Sequence, residues 1–230
     1  MGFPTTARNT PLRIALSDII VPATERLLAH PYYRGLLDGS LPGAALATLC
    51  LQDANHLLPS YAKALAHCAG SAWTTEQADL LAEMAKVSFD SAAASMVGFP
   101  ALARRYDLPG SGTGVPPIEP ATSDYAEFLL ACSSRSLAAG IGAVAPSAWL
   151  YQLVTDELMA RRDPAGRYGD LLAMMYPGKA FAVLVEQFLM LIERVYALSS
   201  APERDELLAN VGRGVGYEGA FVDAAWRAGR

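Results

Sequence analysis

Residues 44–67 read AALATLCLQDANHLLPSYAKALAH, and this stretch decides the fold. Its apolar residues Leu46, Leu49, Cys50, Leu57, Tyr61 and Ala64 recur at intervals of three and four, the period of a helix that buries one face. Asp53 falls on the same stripe. An ionised carboxylate turned toward an apolar interior is costly unless something pairs with it, so Asp53 marks a ligand site or a structural polar network. Glu218 repeats the pattern near the other end of the chain, on a stripe with Phe221, Val222 and Ala225. Two acids aimed inward from distant segments predict a pocket between them.

The same helical spacing recurs from Leu12 to Trp226, and no segment alternates as a β-strand does, so the fold is expected to be all-α. The first helix spans 12–29, is bent by Pro22 and stops before His30-Pro31. After a turn at 37–42 comes helix 44–67, interrupted at Pro59, and then helix 75–99 with Thr75 as its cap. Ser123 or Asp124 caps a helix that runs through Ala139. Pro146 opens another, with Ser147, Leu150, Tyr151, Val154 and Leu158 on one face. The last two helices span 180–197 and 202–226, and Gly212, Gly214 and Gly216 are expected to break the final one. The Gly- and Pro-rich stretch 107–120 reads as a loop, either a lid or a passive connection.

A chain of 230 residues, 52% hydrophobic and 18% charged, can bury a sizeable core, and one domain over 1–230 is expected. Its net charge of -5 comes without a Lys/Arg-rich run, which argues against a nucleic-acid partner. Cys50, Cys68 and Cys132 are odd in number and lack metal-ligand spacing, which fits a reducing cytoplasm. No charged n-region precedes an apolar stretch, and no apolar run has the length of a membrane span, so neither secretion nor a membrane partner is expected. Residues 1–6 formally match a myristoylation pattern, one short enough to arise by chance. His30 belongs to a helix terminus and His67 to a solvated helix end, so with His56 they form no metal motif.

Three segments carry a resemblance: Leu51-Gln52-Asp53, Pro146-Ser147-Ala148-Trp149-Leu150-Tyr151 and Tyr217-Glu218-Gly219-Ala220-Phe221. Together with His30-Pro31-Tyr32-Tyr33 and Asp38-Gly39-Ser40-Leu41-Pro42, in this order, they resemble the signatures of the TenA, or thiaminase II, family. The resemblance implies a haem-oxygenase-like helical bundle, a homo-oligomer (tetramer or dimer), and a pocket for an aminopyrimidine derived from thiamin. It implies no metal or organic cofactor. Asp53 matches the aspartate that holds the pyrimidine ring nitrogen and exocyclic amine, and Glu218 the glutamate that handles protons at the leaving amine and at water. Tyr125, Tyr151 and Tyr176 match tyrosines that line the pocket or bond its catalytic groups, and Phe221 an aromatic wall. The residues alone leave open that Asp53 is satisfied by a tyrosine or backbone donor, that Glu218 pins a helix, and that the tyrosines are core.

Two positions depart from the pattern. Ser147 stands where the family has its cysteine nucleophile, and a hydroxyl needs an adjacent base before it can attack. His56 stands where the family has an aromatic residue that stacks on the pyrimidine. It could stack on or bond an altered ligand, or join Ser147 and Asp53 in a serine-histidine-aspartate arrangement. Cys50, one turn from Asp53, is the alternative thiol. Three functions fit: an aminopyrimidine hydrolase of thiamin salvage, a catalytically silent pyrimidine-binding protein, and a diverged enzyme of a specialised pathway acting on another substrate.

Overall fold

The computed structural model describes residues 10–110 and 115–230, and the myristoylation-like residues 1–6 lie outside them. Among the described residues there is no strand, in agreement with the all-α expectation. The first helix, α1 (Pro11–Ala29), begins where the Thr10 side chain accepts from the Arg13 N–H, and it contains Pro22. Arg13 is buried and forks onto Glu186 at 3.0 Å, tying α1 to the penultimate helix. A short helix absent from the sequence reading follows, α2 (Pro31–Asp38), capped by His30 Nδ1 and ended by Gly39 at φ 81°. His30 therefore does occupy a helix terminus.

Next come α3 (Gly43–Gln52), a π-helical turn (Asp53–Leu57) and α4 (Leu58–Gly70). The expected interruption at Pro59 thus appears one turn earlier. Proline has no N–H and its ring crowds the carbonyl four residues back, so the preceding turn widens, and the Leu58 N–H bonds to the Asp53 carbonyl. α5 (Thr75–Tyr106) is capped by Thr74 and runs beyond Phe99 through Pro100 until Asp107 turns left-handed at φ 52°. α6 (Pro120–Ser133) starts at its own proline, earlier than Ser123, and stops at Ser133 well short of Ala139. Ser136 caps α7 (Leu137–Arg161), so Pro146 lies inside a helix and does not open one.

α8 (Gly169–Met175), α9 (Gly178–Leu198) and α10 (Ala201–Ala228) complete the bundle, α10 starting from a Ser200/Glu203 capping box. Gly212, Gly214 and Gly216 do not break α10. The reason at Gly214 is packing: a Cβ there would lie 2.8 Å from Pro146 Cγ and 3.1 Å from the Ala143 carbonyl. Gly142 makes the reciprocal approach, its virtual Cβ 2.4 Å from the Leu207 carbonyl. α7 and α10 therefore touch backbone to backbone, and the buried Asn210 amide adds a 3.1 Å bond to the Ala139 carbonyl. By length and composition α7 is apolar enough to cross a membrane, which the sequence reading overlooked, but 72% of its apolar window is buried in the bundle.

Candidate functional site

The close contact of α7 and α10 sets the site. Ser147 follows Pro146, and Glu218 lies one turn beyond Gly214, so the pairing that a glycine permits brings the hydroxyl and the carboxylate to the same level. Tyr125 of α6 stands between them. Its hydroxyl donates to Glu218 Oε1 at 2.7 Å and lies 2.7 Å from Ser147 Oγ. A phenol has one proton to give, so with Glu218 ionised the Ser147 hydroxyl is the donor to Tyr125. The three groups form a continuous chain, Ser147 to Tyr125 to Glu218. The Tyr217 ring stacks on Tyr125 at 5.4 Å and on Phe128 at 4.7 Å, fixing the plane of the phenol.

Burial raises the pKa of Glu218, and the bond from Tyr125 offsets part of that rise. Asp53, on the π-turn, is pushed up to about 7 by burial and then by the charge of Glu218. Asp53 and Glu218 are nonetheless half-buried residues, not fully enclosed ones. Among the described residues neither acid is ion-paired with a lysine or arginine. At about 7 the Asp53 carboxyl keeps its proton in part at neutrality, and two buried acids without a cation favour a ligand with hydrogen-bond donors over an anion. Burial pushes the Cys50 thiol up to about 12, with Asp53 adding to the effect, so it carries no thiolate for a nucleophile's task.

Three tyrosines escaped the sequence reading as site residues. Tyr33 of α2 is raised by burial and then by the charges of Glu218, Tyr151 and Asp53, so it lies within electrostatic reach of both acids. The hydroxyls of Tyr32 and Tyr61 are buried without a hydrogen-bond partner. Tyr61 was legible only as one member of the Asp53 stripe, and Tyr32 and Tyr33 only as part of a signature segment.

The remaining expected residues divide. Phe221 is buried on α10, one turn beyond Glu218. Tyr151 feels the charge of Asp53, but its hydroxyl donates to the Met175 carbonyl at 2.7 Å. Tyr176 stands apart, its phenol raised first by Asp156. His56 is bonded through Nε2 to the Pro116 carbonyl at 2.8 Å, while Ser147 is bonded to Tyr125, so the serine-histidine-aspartate arrangement does not assemble. His56 instead acts with Gln52, one turn before it, whose amide donates to the Pro117 carbonyl at 2.8 Å and accepts from the Glu119 N–H at 2.9 Å. The described end of the 107–120 loop is thereby fastened to the helix on both sides of Asp53.

Among the described residues no group of three or more His, Cys, Asp or Glu side chains could hold a metal ion. Two surface depressions, of about 340 Å³ beside Glu76 and Arg194 and about 240 Å³ beside Thr10 and Glu193, include none of the residues around Asp53 and Glu218.

The TENA/THI-4/PQQC family profile matches residues 18–228. No curated protein matches. A TenA homologue from P. horikoshii OT3 is 22% identical, with a TM-score of 0.75, over 94% of this chain and 99% of its own. A TenA family transcription regulator from Silicibacter sp. TM1040 is 17% identical, TM-score 0.75, over 94% and 96%. A protein from Sulfolobus solfataricus P2, described as a candidate TenA-like thiaminase, is 16% identical, TM-score 0.73, over 96% and 97%. These neighbours share the helical, haem-oxygenase-like fold.

Proposed function

As this chain belongs to the TENA/THI-4/PQQC family, we propose that it is a TenA-like hydrolase of thiamin salvage, or a close variant, that cleaves a C–N bond of a small aminopyrimidine. The observation that carries this reading is the unbroken chain from Ser147 through Tyr125 to Glu218 at 2.7 Å per link. A pocket that only bound its ligand would have no need to connect a hydroxyl to a protonatable carboxyl group.

For an aminomethyl-pyrimidine the reaction is the addition of water and loss of ammonia, giving the hydroxymethyl compound. Asp53, with its carboxyl near 7, holds the ring nitrogen and exocyclic amine, sharing a proton with the ring. Glu218 gives its proton to the departing amine and takes one from the water that replaces it, a task that suits a carboxyl group raised by burial. Ser147 orients that water, and Tyr125 carries the hydrogen-bond path to Glu218. In this reading no metal or organic cofactor takes part, the protein works in the cytoplasm as a homo-oligomer, and 1–230 form one domain.

A hydroxyl at position 147, where the resemblance implies a thiol, favours a second reading, a silent pyrimidine-binding protein. A thermal-shift and ammonia-release assay with hydroxymethyl-pyrimidine, its aminomethyl analogue and thiamin separates the two. Stabilisation with ammonia or pyrimidine release supports the hydrolase, and stabilisation alone supports the binding protein. No stabilisation by any of the three removes the thiamin-salvage reading. Ser147→Cys extends the test: faster release means that the surrounding groups suit a nucleophile at this position.

A further inference from the structure

Tyr61 lies two turns beyond Asp53 with the π-turn between them. In an uninterrupted α-helix a residue eight places on is rotated by roughly 80°. The wider π-turn takes most of that back, so Tyr61 comes nearly into line with Asp53, on the same face of the helix. The Tyr61 side chain is 7% exposed, and its hydroxyl is buried with no hydrogen-bond partner. The charge of Glu218 is, after burial, the largest influence on this phenol, and Tyr61 in turn acts on Tyr125. The hydroxyl is therefore within electrostatic reach of Glu218 and Tyr125. Tyr32, 1% exposed, carries a second unpartnered hydroxyl, and Cys50, Tyr33 and Asp53 are among the groups that act on it.

A buried hydroxyl without a partner lowers stability, and a phenylalanine would fill the same space without that cost. We propose that the Tyr61 hydroxyl is a further ligand-binding group, which donates to an acceptor on the small heteroaromatic molecule held between Asp53 and Glu218. The assignment rests on the pyrimidine reading for the identity of that molecule. Tyr61 then helps set specificity: it selects a ligand with a ring nitrogen or substituent oxygen facing α4, and it rejects an analogue with a C–H at that place.

The test is Tyr61→Phe, with Tyr168→Phe as its control. The Tyr168 hydroxyl does have a partner, the Leu41 carbonyl at 2.8 Å, so its removal leaves a buried acceptor unpaired. Without ligand, Tyr61→Phe is expected to melt about 2–4 °C above the wild type and Tyr168→Phe below it. With the aminomethyl-pyrimidine as probe, Tyr61→Phe is expected to bind about tenfold more weakly. Stability and affinity move in opposite directions, which a purely structural role does not produce. Equal affinity for the probe, or a lower melting temperature for Tyr61→Phe, overturns the assignment. If the wild type binds none of the pyrimidines, the functional reading falls, while the melting comparison still decides whether the Tyr61 hydroxyl is an unpaired group awaiting a different ligand.

Discussion

Tyr125 and Glu218 share a 2.7 Å hydrogen bond in which the phenol donates, and the same phenol oxygen is 2.7 Å from Ser147 Oγ. Tyr125 therefore determines whether Ser147 and Glu218 work as one unit. Tyr125→Phe keeps the ring stacked on Tyr217 but removes both bonds. The expected result is a fall in kcat of about a hundredfold with KM changed by less than threefold, since positioned proton transfer contributes on that order. Steady-state kinetics on the wild type and Tyr125→Phe check this, and a change confined to KM would move Tyr125 from proton handling to ligand binding.

Asp53 links stability to pH. In the unfolded chain it ionises near 4, whereas in the folded protein it does so at about 7. The folded state holds the proton more tightly, so the stability present in full below about pH 4 declines as the pH rises through 7. Asp53→Asn removes this titration. At pH 8 the ligand-free variant should exceed the wild type by on the order of 2 kcal/mol, a value reduced for the side chain's remaining contact with solvent, and the gap should close toward pH 4.5. Urea midpoints at the two pH values measure it. A gap of the same size at both would show that Asp53 titrates as it does in the unfolded chain.

The packing of Gly214 on Pro146 places Ser147 beside Glu218. Gly214→Ala puts a methyl group 2.8 Å from Pro146 Cγ, so α10 must move away from α7. A loss of about 1–3 kcal/mol in stability is expected, with a fall in activity beyond what the unfolded fraction explains. At Gly216 a Cβ meets nothing within 4 Å, and Gly216→Ala should be neutral or stabilise by up to about 1 kcal/mol. Chemical denaturation of the pair measures the contrast, and equal effects would contradict the packing account.

Gln52 and His56 fasten the 115–119 segment. The Glu119 amide is protected by Gln52 Oε1 at 2.9 Å, so Gln52→Ala should speed its hydrogen exchange by about tenfold or more while helix α7 exchanges as before. Exchange read by mass spectrometry on peptides covering 115–119 tests this. Unchanged protection would mean that the loop is held by its own packing.

The apolar period of three and four was enough to read the long helices but not α2 or the end of α6, and the anomaly of Asp53 and Glu218 was enough to single out two acids whose pKa burial raises. What escaped has physical causes. Gly214 looks like a helix breaker because a sequence shows its conformational freedom and hides the neighbour that requires it. Pro146 looks like a helix start because the same residue type suits the first turn, and only tertiary packing keeps it inside α7. The role of Tyr61 depends on a π-turn whose extra width no local pattern announces, and that of His56 on a carbonyl sixty residues away. Tyr125 was named from the resemblance, yet its place as the link between Ser147 and Glu218 required three helices to meet.

The role proposed for Glu218, reached through Tyr125, is to move protons during C–N cleavage. Its most direct test is ammonia release from the aminomethyl-pyrimidine by the wild type and Glu218→Gln side by side, with affinity measured on both. The amide keeps the shape and accepts from Tyr125, but it neither gives nor takes a proton at neutral pH. The wild type is expected to give stoichiometric ammonia and hydroxymethyl-pyrimidine, and the variant about a hundredfold slower release while binding within a few-fold of wild-type affinity. Equal release by the two proteins, or binding without release by the wild type, would contradict it.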